Sequence, residues 1–255
     1  CCGQGHLLWS HPSHPPHQPQ KFLKKANTEC GYGGRMQLPQ RVSAIVFDCD
    51  GLLVDSEPAW TVGEATIFAE NGFDFGPEQK QLVIGKSISG GCEAMASYFG
   101  RPGTGPELVD QLLGLVKAEL LRGIAPLPGV VALLAAIGSR VPVGVASNSN
   151  RALLDVSLQG SGLAGQFTVT VSADDVEHHK PHPQLYLEAF ARLGADPLKG
   201  VALEDSLTGI ASARASGAFV LVVPSTPSAA TQGDFVASSL ADPAVLEWGR
   251  SVQPI

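Results

Sequence analysis

Five short apolar runs, each rich in Val and Ala, punctuate this chain: AIVFD (44–48), PVGVAS (142–147), TVTVS (168–172), GVALE (200–204) and AFVLVV (218–223). Runs of that length without polar alternation suit strands buried on both faces. Stretches of helical period lie among them, over 130–137, 151–159, 183–193 and 207–216. Such alternation predicts an α/β fold: a Rossmann-like parallel sheet core with helices on both faces. One interval breaks the rhythm. The first run ends at Asp48 and the second begins at Pro142, far more chain than a crossover helix needs. The excess reads as four helices over 59–71, 77–84, 88–99 and 107–122, separated by glycine and proline breakers. The expected organisation is therefore a core of residues 36–57 and 128–255, with a four-helix cap domain, 58–127, inserted after the first strand. Hinges are expected near 55–58 and 124–128. After Pro224 the pattern weakens, with one short helix near 244–249.

Composition excludes several classes. Seventeen Lys+Arg against 24 Asp+Glu, a net charge of −7, argues against a nucleic-acid binder. The best candidate for a membrane span, 123–138, is interrupted by Pro126, Pro128 and Gly129, so no membrane partner is expected. Residues 1–35 differ from the body: they hold His6, His11, His14 and His17 and three of the five cysteines, around a Pro/His-rich centre. They are expected to be a disordered or non-native leader, with a His-rich metal-binding tail as the alternative. Cys49 and Cys92 lack zinc spacing, which favours free thiols in a reducing cytoplasm. A monomer is expected.

In an open parallel sheet, ligands gather at the carboxyl ends of strands where the strand order reverses. The first run delivers Asp48, Cys49, Asp50 and Gly51 there; the second, Ser147 and Asn148; the segment after the third, Lys180; the fourth, Glu204 and Asp205. Carboxylates suit a hard divalent cation, while an ammonium and hydroxyls suit phosphate oxygens. The set therefore points to a cation and a phosphoryl group bound together.

VFDCDGLLVDSEP (46–58) resembles the first motif of the haloacid dehalogenase superfamily. ASN (146–148) resembles the second motif, KPHP (180–183) the third and LEDSLTG (203–209) the fourth. The resemblance covers 44–224, and a helical cap after the first motif is what this branch has. It implies that Asp48 is the nucleophile, forming an aspartyl-phosphate, and that Asp50 is the general acid and base. It further implies Mg2+ held by Asp48, the Asp50 carbonyl and Asp205, with Glu204 as a further or water-mediated ligand. Ser147, the Asn148 amide and Lys180 would hold the phosphate oxygens.

Blander roles fit other polar residues. Asp55, Ser56 and Ser206 precede helices and read as caps. Cys49 points away from its aspartate neighbours by strand alternation and reads as packing. His178, His179 and His182 read as a polar loop rather than a zinc site. Asp174 and Asp175 read as solvating a loop. Within the superfamily, an acid at position 50 favours a phosphatase or phosphomutase. The mutase branch resembles this chain but places a His where Trp60 stands and a phosphate-binding Arg where Ile88 stands. DSEPAW, KPHPQLYL and VALEDS most resemble sugar- and sugar-alcohol-phosphate phosphatases. The expectation is a Mg2+-dependent phosphatase acting on a small phosphorylated metabolite, with Trp60, Lys86 and Ser87 choosing it. The alternative is a β-phosphoglucomutase-like mutase. A receiver-like phosphate sensor would instead keep a stable aspartyl-phosphate and show no turnover.

Overall fold

The computed structural model describes residues 37–84 and 86–255; the expected leader lies outside them. Six strands form one parallel sheet: β2 (Ile45–Phe47), β3 (Val143–Ala146), β4 (Val169–Val171), β5 (Val201–Glu204), β6 (Phe219–Val222) and β7 (Phe235–Val236), in the order β4-β3-β2-β5-β6-β7. β1 (Arg41–Val42) pairs separately, and in parallel, with β8 (Gln253–Pro254). β2 lies at the centre, with Phe47 opposite Val145 on one side and Leu203 on the other. The chain proceeds outward from β2 through β3 and β4, then returns to start β5 on the opposite flank. The strand order therefore reverses around β2, which opens a crevice at the carboxyl ends of β2, β3 and β5.

Alternation along β2 supplies two cores at once. Ile45 and Phe47, and beyond the strand Cys49, pack with Val130, Leu133 and Ile137 of α5 (Val130–Ile137), Leu154 and Leu158 of α6 (Arg151–Gly160) and Val245 and Trp248 of α9 (Pro243–Ser251). Val46 faces the other way, onto Leu185, Tyr186 and Phe190 of α7 (Gln184–Arg192) and Ile210 and Ala213 of α8 (Leu207–Ser216). Helices thus cover both faces, as the continuous apolar runs required.

Four helices connect β2 to β3: α1 (Glu57–Glu70), α2 (Pro77–Val83), α3 (Ile88–Tyr98) and α4 (Gly105–Leu121). Pro58, Pro77 and Pro106 stand in the first turns of α1, α2 and α4, where a missing N–H costs nothing. Ile67, Phe68, Met95, Leu112 and Val116 build their shared apolar centre, which also takes in Leu153 and Val156 of α6. The segment is thereby packed against α6.

Two expectations need correction. The stretch after Pro224 contains the edge strand β7, too short to show any period. The final residues form β8, held by main-chain pairing with β1 and by the Arg41 guanidinium, which donates to the Pro254 carbonyl at 3.3 Å. Asp174 and Asp175 do not merely solvate a loop. Asp175 accepts from the Ser172 amide and hydroxyl at 2.8 and 2.7 Å and pairs with Arg151 and Arg192, while Asp174 accepts from the Arg151 amide at 2.9 Å. Its own burial opposes ionisation, but these hydrogen bonds and Arg151 outweigh that and hold the Asp175 carboxyl well below its ordinary range. The pair ties β4 to α6 and α7.

Candidate active site

Asp48 directly follows β2 and is buried, while Cys49 turns into the core beneath it. The chain then reverses sharply: the Gly51 amide donates to the Val54 carbonyl at 2.8 Å, and Gly51 has φ +86°. A Cβ on Gly51 would stand 2.5 Å from Asp205 Oδ2. Glycine is required there both by the backbone and by the carboxylate it admits.

Lys180 reaches the crevice from the loop before α7. Its ammonium lies 2.6 Å from Asp48 Oδ1 and 2.6 Å from Glu204 Oε1, with its side chain 3% exposed. Asn148 holds the loop in place, its Oδ1 accepting from the Lys180 amide at 2.9 Å. Glu204, the last residue of β5, is fully buried and well supplied with donors. Beyond Lys180, Oε1 accepts from the Tyr186 hydroxyl at 2.7 Å, and Oε2 accepts from the Asp205 and Ser206 amides at 3.1 and 3.4 Å. Asp205 differs: its Oδ1 is buried with no hydrogen-bond partner.

Those positions determine the electrostatics. Burial, and then the Glu204 charge, push Asp48 well above the ordinary carboxylate range against the pull of Lys180. The same two causes raise Asp205 to about 6. For Lys180, burial opposes the charge, but Asp48 and Glu204 outweigh it and hold the ammonium above its ordinary value. Ligand oxygens of Asp48, Glu204 and Asp205 lie within 4.8 Å of one another, the one such metal-capable group among the described residues. Three carboxylates facing one ammonium leave excess negative charge, and an orphaned carboxylate oxygen is costly to bury. A divalent cation satisfies both deficits, so these residues fit one. Glu204 already has its own donors, which favours Asp48 and Asp205 as the direct oxygens.

Asp50 is surrounded by hydroxyls. Ser56 donates to Oδ1 at 2.7 Å; Ser149 and Ser147 donate to Oδ2 at 2.8 and 3.3 Å. This corrects the capping role expected for Ser56, which makes no side-chain cap bond to α1. Asp55 does accept from the Glu57 amide, and Ser206 caps α8 through the Gly209 amide at 3.1 Å. Asp48, Asp50, Asn148 and Lys180 line a cavity of about 350 Å³ with Ser56, Glu57, Trp60, Ser149, Ser206 and Thr208. Ser147 is fully buried behind it, and its hydroxyl accepts from the Ser149 amide at 3.0 Å.

Residues 45–223 match the family model described as haloacid dehalogenase-like hydrolase. The chain belongs to the haloacid dehalogenase-like hydrolases. Among curated relatives, hexitol phosphatase B of Escherichia coli K12 is 35% identical over 79% of this chain and 91% of its own. Protein CbbY of Rhodobacter capsulatus is 33% identical over 76% and 88%. The solved structure of CbbY from Rhodobacter sphaeroides in complex with phosphate superposes with a TM-score of 0.68 at 24% identity, covering 81% of this chain and 99% of that one. At that identity it shows the fold alone, as does a β-phosphoglucomutase from Clostridium difficile at 18% identity and TM-score 0.66.

In this haloacid dehalogenase-like hydrolase, Trp60, Lys86 and Ser87 come together along a second cavity of about 190 Å³ in the four-helix segment, and Trp60 also lines the first. Sequence reasoning missed Tyr186, Ser149 and Ser56. Tyr186 left one signal: it falls on the sheet-facing stripe of α7 between Leu185 and Ala189, where a buried hydroxyl must find an acceptor. The three histidines stay outside the chemistry; His179 Nε2 sits 3.2 Å from the Ala173 carbonyl and His178 packs on His182. No helix among the described residues is long and apolar enough to cross a membrane.

Proposed function

We propose that this hydrolase cleaves small phosphate monoesters, of the sugar or sugar-alcohol class, with Mg2+ bound. The observation that carries the reading is the shared cavity: Asp48 and Asp50 line it together, beside the partnerless Asp205 oxygen. Asp48 attacks phosphorus. An Asp48–phosphorus bond forms as the bond to the leaving oxygen breaks, and Asp50 gives that oxygen its proton. Water then attacks the aspartyl-phosphate, Asp50 takes the proton, and Asp48 is regenerated as phosphate departs. Ser56 and Ser149 orient Asp50 for both transfers. Lys180, held by Asp48 and Glu204 and presented by Asn148, faces the incoming phosphate oxygens, with the Asn148 amide as a further donor, while the buried Ser147 hydroxyl, expected among them, is turned to Asp50 instead. The cation would be held by Asp48, Asp205 and the Asp50 carbonyl, with Glu204 behind them; when bound it offsets repulsion between phosphate and the attacking carboxylate.

The curated relatives named for phosphatase activity on small sugar derivatives support this substrate class. Glu57 and Trp60 of α1, which line the cavity at the strand ends, support a small substrate rather than a phosphoprotein. Two buried free thiols, Cys49 and Cys92, suit the cytoplasm. The test is phosphate release by the full chain from a panel of sugar and hexitol phosphates, with Mg2+ and with EDTA. Release should require the metal, and Asp48→Asn should lower kcat by about 10³-fold or more with the fold retained. Release by Asp48→Asn at the wild-type rate refutes the nucleophile. Interconversion of glucose 1- and 6-phosphate without release establishes the mutase alternative.

A further inference from the structure

The catalytic cavity and the smaller cavity of the four-helix segment meet at Glu57 and Trp60, which line both. The second cavity is also lined by Glu64, Lys80, Lys86 and Ser87. Lys80 looks at first like a phosphate ligand, but its charge is already committed. Its ammonium lies 2.6 Å from Glu57 Oε1 and 2.7 Å from Glu64 Oε2. The three side chains are unequally placed: Glu64 is 9% exposed, Lys80 18% and Glu57 60%. The less exposed Glu64–Lys80 pair therefore acts as an anchor, and Glu57 is the member presented to the opening.

Lys86 is then the remaining ammonium on this cavity. A second phosphate needs several cationic or N–H donors converging on it. A carboxylate held beside an indole suits a different ligand. Its oxygens accept from hydroxyl groups, and the ring offers an apolar face to C–H bonds. We infer that the second cavity receives the non-phosphate end of the substrate, and that Glu57, positioned by Lys80, selects a neutral, hydroxyl-bearing carbon chain over one ending in a second phosphate. The inference rests on the phosphate-monoester reading above and narrows it to polyol and sugar monophosphates. It also links specificity to chemistry along the chain, because Ser56, which orients Asp50, immediately precedes Glu57 at the start of α1.

The experiment compares kcat/KM, in saturating Mg2+, for sorbitol 6-phosphate, fructose 1,6-bisphosphate and p-nitrophenyl phosphate, which carries no hydroxyls. The wild-type chain should prefer the first over the second. Glu57→Gln should lower the ratio of sorbitol 6-phosphate to p-nitrophenyl phosphate by about 10- to 100-fold, the worth of one charge-assisted hydrogen bond. The loss should appear mainly in KM. Lys80→Met should reproduce the fall in that ratio, and Lys80→Arg should restore at least part of it, a pattern that loss of packing alone would not give. A ratio unchanged in Glu57→Gln, or a wild-type preference for the bisphosphate, overturns the inference. Wild-type turnover of p-nitrophenyl phosphate with no turnover of sorbitol 6-phosphate also overturns it while the phosphatase reading stands. Loss of all phosphate release from the wild type is the separate outcome that removes the reading beneath it.

Discussion

Replacing Gly209 with alanine should destabilise this protein, against the usual direction for a helical glycine. Gly209 is the third residue of α8, and Gly→Ala within a helix ordinarily gains about 1 kcal/mol. Here the new Cβ would stand 1.9–2.0 Å from the carboxylate atoms of Glu204. That carboxylate cannot swing away freely, since Lys180 and Tyr186 hold Oε1 at 2.6 and 2.7 Å. Displacing it forfeits two charge-assisted hydrogen bonds at about 1.5–3 kcal/mol each. After the helical gain is set against them, the net cost is about 2–5 kcal/mol. For a chain of this size that corresponds to a fall in Tm of roughly 5–20 °C. Calorimetry of the metal-free protein measures it, with Gly114→Ala as the internal control. Gly114 lies inside α4 with nothing within 4 Å of its Cβ position, so that change should raise stability by up to about 1 kcal/mol. Phosphate release should fall in Gly209→Ala, because Lys180 loses its second acceptor. If both variants melt above wild type and remain active, the close seating of Glu204 under α8 is wrong.

Two further outcomes follow from the buried charges. Asp205 rises from its ordinary 3.8 to about 6 on folding, so the folded chain binds more protons between those values. The associated stability is present below pH 3.8 and is lost as pH rises through 6, about 2–3 kcal/mol in all. Magnesium should therefore raise Tm more at pH 7.5 than at pH 5, and an equal shift at both would contradict the placement of the cation beside Asp205. Burial, then the charges of Asp50 and Asp48, push the Cys49 thiol well above its ordinary value, which leaves no thiolate to react. Cys49→Ser should retain kcat within about threefold, and a loss beyond tenfold would show that the residue does more than pack.

The elements most legible in the sequence were those whose pattern is local. α5 and α8 match the expected 130–137 and 207–216 residue for residue, and the five principal strands differ only by losing their ends. Those lost ends are informative in themselves. Asp48 and Ser147 lie just past the last residues of β2 and β3, each still held by its amide to the neighbouring strand, at Leu203 and Val171, and Asp48 turns its carboxylate into the crevice. β7 and β8 were illegible because two residues carry no period; their pairing depends on neighbours already in place. The candidate site divides the same way. Asp48, Asp50, Asn148, Lys180 and Asp205 were readable because strand ends in a parallel sheet converge wherever the chain comes from. Ser56 was misread because a serine before a helix has two competing uses, and only the position of Asp50 decides between them.

The site also explains why its charged residues cannot be judged one at a time. Asp48, Glu204 and Asp205 would be poor choices for a sheet edge by themselves, since burial and then the Glu204 charge raise the cost of ionising both Asp48 and Asp205. Lys180 offsets part of that cost by bridging two of them, and the Tyr186 hydroxyl with the Asp205 and Ser206 amides settles the oxygens of Glu204. What is left over is concentrated on Asp205, whose Oδ1 has no donor. An arrangement serving stability alone would replace that carboxylate or give it a partner. An Oδ1 without a donor, set beside Asp48, is an arrangement that a cation could complete, which is why the response of Tm to magnesium tests the chemistry as directly as turnover does.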